Sequence, residues 1–193
     1  MAQRKPKNLL ALAILSLLNE KPMHPYEIGS TMRQRKLSDT IKLNTGSLYA
    51  VVDSLWHGGW IEPVATEREG RHPERTIYAP TDSGKKLFFS WLRSLIRTPA
   101  KEYPEFAAGL SFLGHLAPDE VKQLLEERLR QIDARMDETR ASLNEAAESG
   151  VNRLFLIELE YTLAMMDAER NWIESILLEI RNGTLTELWG KTN

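Results

Sequence analysis

The residues best suited to chemistry in this chain lie together at Lys42-Leu43-Asn44-Thr45-Gly46-Ser47-Leu48-Tyr49. They offer a cation, a side-chain amide, two hydroxyls and a phenol, with a glycine that permits close approach to the backbone. None is a nucleophile beside a base, and none belongs to a metal-ligand set. They suit hydrogen bonding to phosphate oxygens and base edges. Asn44 is a favourable N-cap, so a helix is expected from there to about His57. Its first N–H groups and partial positive charge suit a phosphate oxygen. Leu48, Val51, Val52 and Leu55 make its apolar stripe, and Tyr49 lies off that stripe, which turns the phenol outward. A helix of this kind fits the major groove of duplex DNA through its N-terminal residues.

A second set of polar groups follows. Gly58-Gly59 stops the helix in the manner of a left-handed cap. Trp60-Ile61-Glu62-Pro63-Val64 and Arg75-Thr76-Ile77-Tyr78-Ala79 read as two strands joined by a polar, turn-rich tip. Arg68, Arg71, His72 and Arg75 suit a wing lying over the minor groove or the backbone. Glu67, Glu69 and Glu74 are interleaved with them, so a merely solvated hairpin stands as the alternative. Arg4, Lys5 and Lys7 form a basic N-terminal arm.

Stepping outward, further helices must position these groups. A first helix is predicted over Asn8–Asn19, with Leu9, Leu10, Ala13, Ile14, Leu17 and Leu18 on one face. After a turn holding Pro22 and Pro25, a second runs from Tyr26 to Arg35. Tyr26, Ile28, Gly29 and Met32 point to its inner side, and the Tyr26 hydroxyl joins the candidate DNA contacts. Thr81 caps a fourth helix from Asp82 to about Arg97, with Leu87, Phe88, Trp91, Leu92 and Leu95 inward. Thr98-Pro99 and the segment to Pro104 mark a boundary. Beyond it come a short apolar helix (Glu105 to Gly114), a long one carrying Val121, Leu125, Leu129, Ile132, Met136 and Leu143, and a last one from Val151 to Arg181. The expected fold is mainly α with a small β-hairpin. A winged helix-turn-helix spans 1–98 and a helical dimerisation domain 99–193.

Composition narrows the function. The chain has 193 residues, 42% of them hydrophobic, so a packed core is expected. Net charge is −2, yet residues 1–98 hold 15 Lys+Arg against 9 Asp+Glu, and residues 99–193 hold 10 against 18. A basic front half suits a polyanion. There is no cysteine, which excludes disulfides and thiol chemistry and fits a reducing cytoplasm. No apolar run reaches the ~20 residues of a membrane span, and no cleavage site follows the basic start, so neither a membrane partner nor a signal peptide is expected. His24, His57, His72 and His115 are scattered away from metal spacing. Glycine-rich phosphate loops, nucleophile elbows and zinc-protease motifs are absent. Enzyme activity, a cofactor and a metal site are therefore not expected.

On these residues the chain resembles the PadR family of bacterial transcriptional regulators. The resemblance is carried by Ala13-Ile14-Leu15-Ser16-Leu17-Leu18, His24-Pro25-Tyr26-Glu27-Ile28, Asn44 to Tyr49, Leu55-Trp56-His57-Gly58-Gly59-Trp60-Ile61 and Arg75 to Gly84. It is strong over residues 8–97, with Pro80 standing where leucine is common. The acidic half looks like the longer C-terminal domain of one subfamily in length and helicity. The resemblance implies a homodimer whose C-terminal helices pack on the other subunit, including its first helix. The last helix independently carries apolar residues nearly all round, at Phe155, Ile157, Leu159, Tyr161, Leu163 and Met165, and so must bury more than one face. Candidate interface residues are Leu10, Ile14, Phe155, Leu159, Met166, Trp172, Ile173, Ile176 and Ile180. Two recognition helices would read a palindromic operator with half-sites about 34–36 Å apart.

The expected function is a sequence-specific DNA-binding regulator, a repressor, with double-stranded DNA and a second copy as partners. Family resemblance adds a small aromatic or drug-like effector. Trp91, Tyr103, Phe106, Phe112 and Met165 are the candidate lining, although such residues at helical spacing also serve as plain core. The competing reading is a winged helix that binds protein and not DNA.

Overall fold

The computed structural model describes residues 8–35, 37, 41, 44–67 and 75–185, together with Pro6 and Trp189. It divides into two compact units, Met1–Lys101 and Glu102–Asn193.

In the first unit, α1 (Leu9–Glu20) starts where the Asn8 side-chain oxygen accepts the Leu10 N–H at 2.9 Å. Helix α2 (Pro25–Gln34) starts with a reciprocal cap. His24 Nδ1 accepts the Tyr26 N–H at 3.1 Å, and the Glu27 carboxylate accepts the His24 N–H at 3.0 Å. Pro25 needs no N–H partner at this first position. Helix α3 (Thr45–His57) ends in a Schellman turn. Gly59 N–H donates to Trp56 O at 2.8 Å and Trp60 N–H to Leu55 O at 2.9 Å, with Gly59 at φ +66°. The turn delivers the chain into β1 (Ile61–Glu67), which pairs antiparallel with β2 (Arg75–Pro80). The register shifts between Pro63 and Ala65, where a residue without an N–H meets the ladder. Met23 bridges Tyr78 through N–H···O bonds of 3.1 and 3.0 Å, so the turn between α1 and α2 lies along the hairpin.

Helix α4 (Asp82–Arg97) is bound to the end of α3 by one side chain. Thr81 Oγ1 donates toward Gly59 O at 2.8 Å and accepts the Gly84 N–H at 3.0 Å, while Thr81 N–H reaches Trp60 O at 3.1 Å. The core of this unit forms from α1, with Ile28 and Met32 of α2, Leu48 and Leu55 of α3, Ile61, Leu87 and Trp91. Two expectations are corrected. Tyr26 is exposed, because Pro25, Ile28, Gly29 and Met32 already fill the inner face of α2. Leu92 and Leu95 are also exposed, because α4 turns its Gly84, Leu87 and Trp91 side to the core, with Phe88 partly buried beside it.

In the second unit α5 (Glu105–Leu110) stops short of the expected length. A turn at Ser111 and Phe112 leads into a 3-10 segment at Leu113–His115. Helix α6 (Pro118–Glu148) and α7 (Ile157–Arg181) form an antiparallel pair. Val121, Leu125, Ile132 and Met136 of α6 pack with Ile173, Leu177 and Ile180 of α7. Arg128–Glu169 (2.5 Å), Arg170–Asp133 (2.8 Å) and Arg181–Glu126 (3.1 Å) flank that seam. Such part-exposed pairs contribute about 0–1 kcal/mol each and mainly fix register. Helix α7 begins at Ile157 and not Val151. Asn152 caps a 3-10 turn at Arg153–Phe155, and Arg153 folds back on Glu160 at 2.9 Å.

Candidate nucleic-acid interface

Helix α3 is held close to α2. A Cβ on Gly29 would lie 2.9 Å from Leu48 Cδ2, so only glycine allows this crossing without displacement. The core claims Leu48, Val52 and Leu55. The opposite side of α3 presents Gly46, Tyr49, Ala50 and Asp53, all exposed, at the i, i+3, i+4, i+7 spacing of one helical stripe. Tyr49 is 46% exposed and Tyr26, at the start of α2, 62%.

The N-terminus of α3 is capped from within. Asn44 Oδ1 accepts the Ser47 N–H at 2.6 Å, so this side chain serves as the helix cap. Gly46 has a different status from Gly29. A Cβ there would meet nothing but Asn44 Oδ1, at 3.8 Å. The chain itself gives no reason for a glycine at this position, and the open backbone faces solvent. Thr45 opens the helix.

The wing supplies Arg75, exposed and paired in register with Glu67. His24 lies near it. Burial first, and then the Arg75 charge, lower the His24 pKa below its ordinary 6.5, while Glu27 opposes this. The neutral ring is the form whose Nδ1 can cap α2. Tyr78, against which Trp56 rests at 6.3 Å between ring centres, has its phenol pKa raised by burial and by the Asp53 charge. Lys42, Arg68, Arg71, His72 and the basic arm lie outside the described residues.

The candidate interface residues separate into two groups. Leu10 and Ile14 are completely buried in the first unit's own core, and Ile173 and Ile180 are buried against α6. Their expected place on a surface that meets a second copy is corrected, because intrachain packing already covers them. Leu159, Met166 and Ile176 are half-buried. Phe155 (75% exposed) and Trp172 (41%) remain on the surface. Trp172 stands edge-on to Phe106 at 6.0 Å.

Of the candidate effector-lining residues, Trp91 is core in the first unit, while Tyr103, Phe112 and Met165 are exposed. Phe106 does line a cavity of about 420 Å³ within the second unit. Its wall includes Leu110, Leu113, Leu116, Val121, Leu124 and Leu125, with Glu105 and Arg128 as charged groups. The Arg128 guanidinium lies over the Phe106 ring at 3.7 Å. These leucines escaped a reading that searched for aromatics and methionines. The spacing of Phe106, Gly109, Leu110 and Leu113 was the available signal. Among the described residues no group of three or more His, Asp or Glu is arranged to hold a metal ion. No helix there is long and apolar enough to cross a membrane.

Residues 14–89 match the Transcriptional regulator PadR-like family. The chain is similar to the negative transcriptional regulator PadR of Bacillus subtilis (strain 168), 26% identical over 179 residues, covering 89% of this chain and 97% of that one. Among solved structures it is similar to B. subtilis PadR in complex with operator DNA, with a TM-score of 0.73 and 26% identity over 91% of this chain and 99% of that one. The same protein in complex with p-coumaric acid gives 0.72 and 25% over 90% and 99%.

Proposed function

We propose that this chain, which belongs to the PadR-like family of transcriptional regulators through residues 14–89, binds operator DNA through α3 as a homodimeric repressor in the cytoplasm. The observation that carries this reading is Gly46. It is a glycine that the fold does not need, at the exposed start of a capped helix, on the stripe that also holds Tyr49. An absent side chain serves a neighbour there, and a phosphate seated on first-turn N–H groups is the neighbour that a helix N-terminus suits. Ser47, Tyr49 and Tyr26 supply hydroxyls for further backbone contacts, and Lys42, Arg68, Arg71, His72 and Arg75 supply charge. Thr45 adds a hydroxyl at the first helical position.

Two copies would present two such helices to a palindrome with half-sites about 34–36 Å apart or a multiple of that. Phe155 and Trp172 form part of the surface joining them. A small, largely apolar effector would favour a dimer that does not fit the operator and so lower DNA occupancy by population shift. The cavity beside Phe106 has the size and apolar wall for such a ligand.

The test is fluorescence anisotropy of the full-length protein on a palindromic duplex from just upstream of its own gene, titrated at several salt concentrations. Preference over a scrambled duplex and a log–log salt slope of about −0.9 per neutralised phosphate are expected. Salt-insensitive or absent binding to every duplex tried would overturn the DNA-binding reading and redirect the search to protein partners.

A further inference from the structure

The α3 sequence, Thr-Gly-Ser-Leu-Tyr-Ala-Val-Val-Asp-Ser-Leu-Trp-His, contains no Arg, Lys, Asn or Gln. Those four residue types make the two-pronged contacts that distinguish guanine and adenine in the major groove. The nearest residue of this kind beside the helix start is Asn44. Its side-chain oxygen accepts the Ser47 N–H at 2.6 Å, so a two-pronged Asn–adenine contact would have to share or break the helix cap. Asp53 could accept from a cytosine amino group, but it stands two turns into the helix. Its carboxylate lies 3.2 Å from His57 Nδ1. What the stripe offers at its leading end is a bare backbone, a phenol and a methyl group, at Gly46, Tyr49 and Ala50. Ala50 is exposed beside Tyr49, while Leu48, Val52 and Leu55 of the same helix pack inward.

An apolar group in the major groove has one specific complement, the C5-methyl of thymine. We infer that α3 reads its half-site chiefly through thymine methyl groups, with Ala50 and the Tyr49 ring as the reading surface. Hydroxyls and N–H groups around them hold the phosphates and fix register without carrying sequence information. This rests on the DNA-binding reading above and assigns the specificity within it. Specificity built this way is shallow at each step. Burying one methyl contributes about fourfold in affinity, against tenfold or more for a two-pronged purine contact.

The experiment uses the full-length protein and the highest-affinity duplex that it selects from a random-sequence pool. Thymines of that duplex are replaced one at a time by deoxyuridine, which removes only the methyl. Guanines are replaced by 7-deazaguanine, which removes only the N7 acceptor. The expected result is a loss of about fourfold at one or two thymines per half-site and none at the guanines. Ala50→Ser, which keeps the helix and puts a hydroxyl on the methyl, should make the protein indifferent to uracil at its contacted step. Ala50→Gly should do the same. Tight selective binding that ignores every uracil substitution, or that collapses with 7-deazaguanine, overturns the methyl readout while leaving DNA binding intact. Failure of the unaltered protein to select any duplex overturns the DNA-binding reading and this inference together.

Discussion

Replacing Gly84 by alanine tests the claim that one junction holds α3, the β-hairpin and α4 together. A Cβ on Gly84 would lie 1.9 Å from the Trp60 carbonyl oxygen, against an ordinary C···O contact of about 3.3 Å. The first turn of α4 must therefore retreat by about 1.4 Å. That oxygen accepts the Thr81 N–H at 3.1 Å and faces Thr81 Oγ1 at 3.2 Å, so the retreat pulls both apart. Overpacking costs about 1–3 kcal/mol, and weakening the Thr81 cap adds about 1 kcal/mol. Together they destabilise the first unit by roughly 2–4 kcal/mol. For a domain of this size that is a fall in Tm of roughly 10–30 °C. The control is Gly109→Ala in α5, where a Cβ meets nothing within 4 Å. It should be neutral or stabilise by about 0.4–1 kcal/mol through the unfolded chain. Urea and thermal unfolding followed by circular dichroism measure both. A Gly84→Ala protein within about 0.5 kcal/mol of the parent would refute the argument that this contact is rigid.

Tyr49→Ala and Lys42→Ala should each weaken operator binding by about tenfold while sedimentation still reports the parent oligomer, since each removes about one hydrogen-bonded or charged phosphate contact; unchanged affinity in both would remove them from the interface. His24 makes the first unit sensitive to acid. Its pKa is lower in the fold than in the unfolded chain, so below the ordinary 6.5 the unfolded chain holds more protons and stability falls with pH until the folded ring is itself protonated. The urea midpoint should drop between about pH 7.5 and about pH 5.5, and His24→Asn, which can still cap α2, should lose less over that range; equal losses would exonerate His24. Trp172→Asp places a charge on a large aromatic site and should weaken the proposed dimer by at least about 2 kcal/mol, roughly thirtyfold in Kd; sedimentation of a folded variant at the parent mass would exclude Trp172 from the interface.

Much of the fold was legible because its punctuation is chemical. Asn44, Gly58-Gly59, Thr81 and Pro25 are residues whose backbone demands admit few alternatives, and each ends or begins an element within about a residue of where it was expected. The winged helix followed from the order of those signals, and the family resemblance from the motifs at Ala13 to Leu18, His24 to Ile28 and Asn44 to Tyr49. What lies across an apolar face was not legible. The periodicity of α1 and α7 reveals that Leu10, Ile14, Ile173 and Ile180 need cover, and nothing in that periodicity says whether the cover is the same chain or another. Tyr26 failed for a related reason, since a neighbouring proline took the inward place and a phenol tolerates either side. The cavity wall was missed because the spacing of Phe106, Leu110 and Leu113 marks only one side of it, and the convergence with Val121 and Leu125 of α6 is a property of the fold. Asn44 was legible as the cap of α3 because its short amide suits that position.

The Thr81 side chain contacts the Gly59 and Trp60 carbonyls across 22 and 21 positions of chain, and this closes the wing into a loop with a fixed neck. Lengthening a loop whose ends are already pinned costs only a logarithmic term, about 0.6 kcal/mol per doubling. Insertions between Glu67 and Arg75 should therefore be well tolerated, whereas one residue added between Gly59 and Ile61 would misalign the neck and the Schellman turn at once. Over evolutionary time the reach of the wing can drift while the bearing of α3 stays constant. For engineering, the same asymmetry marks the tip as the place to graft a foreign loop and the neck as the place to leave alone.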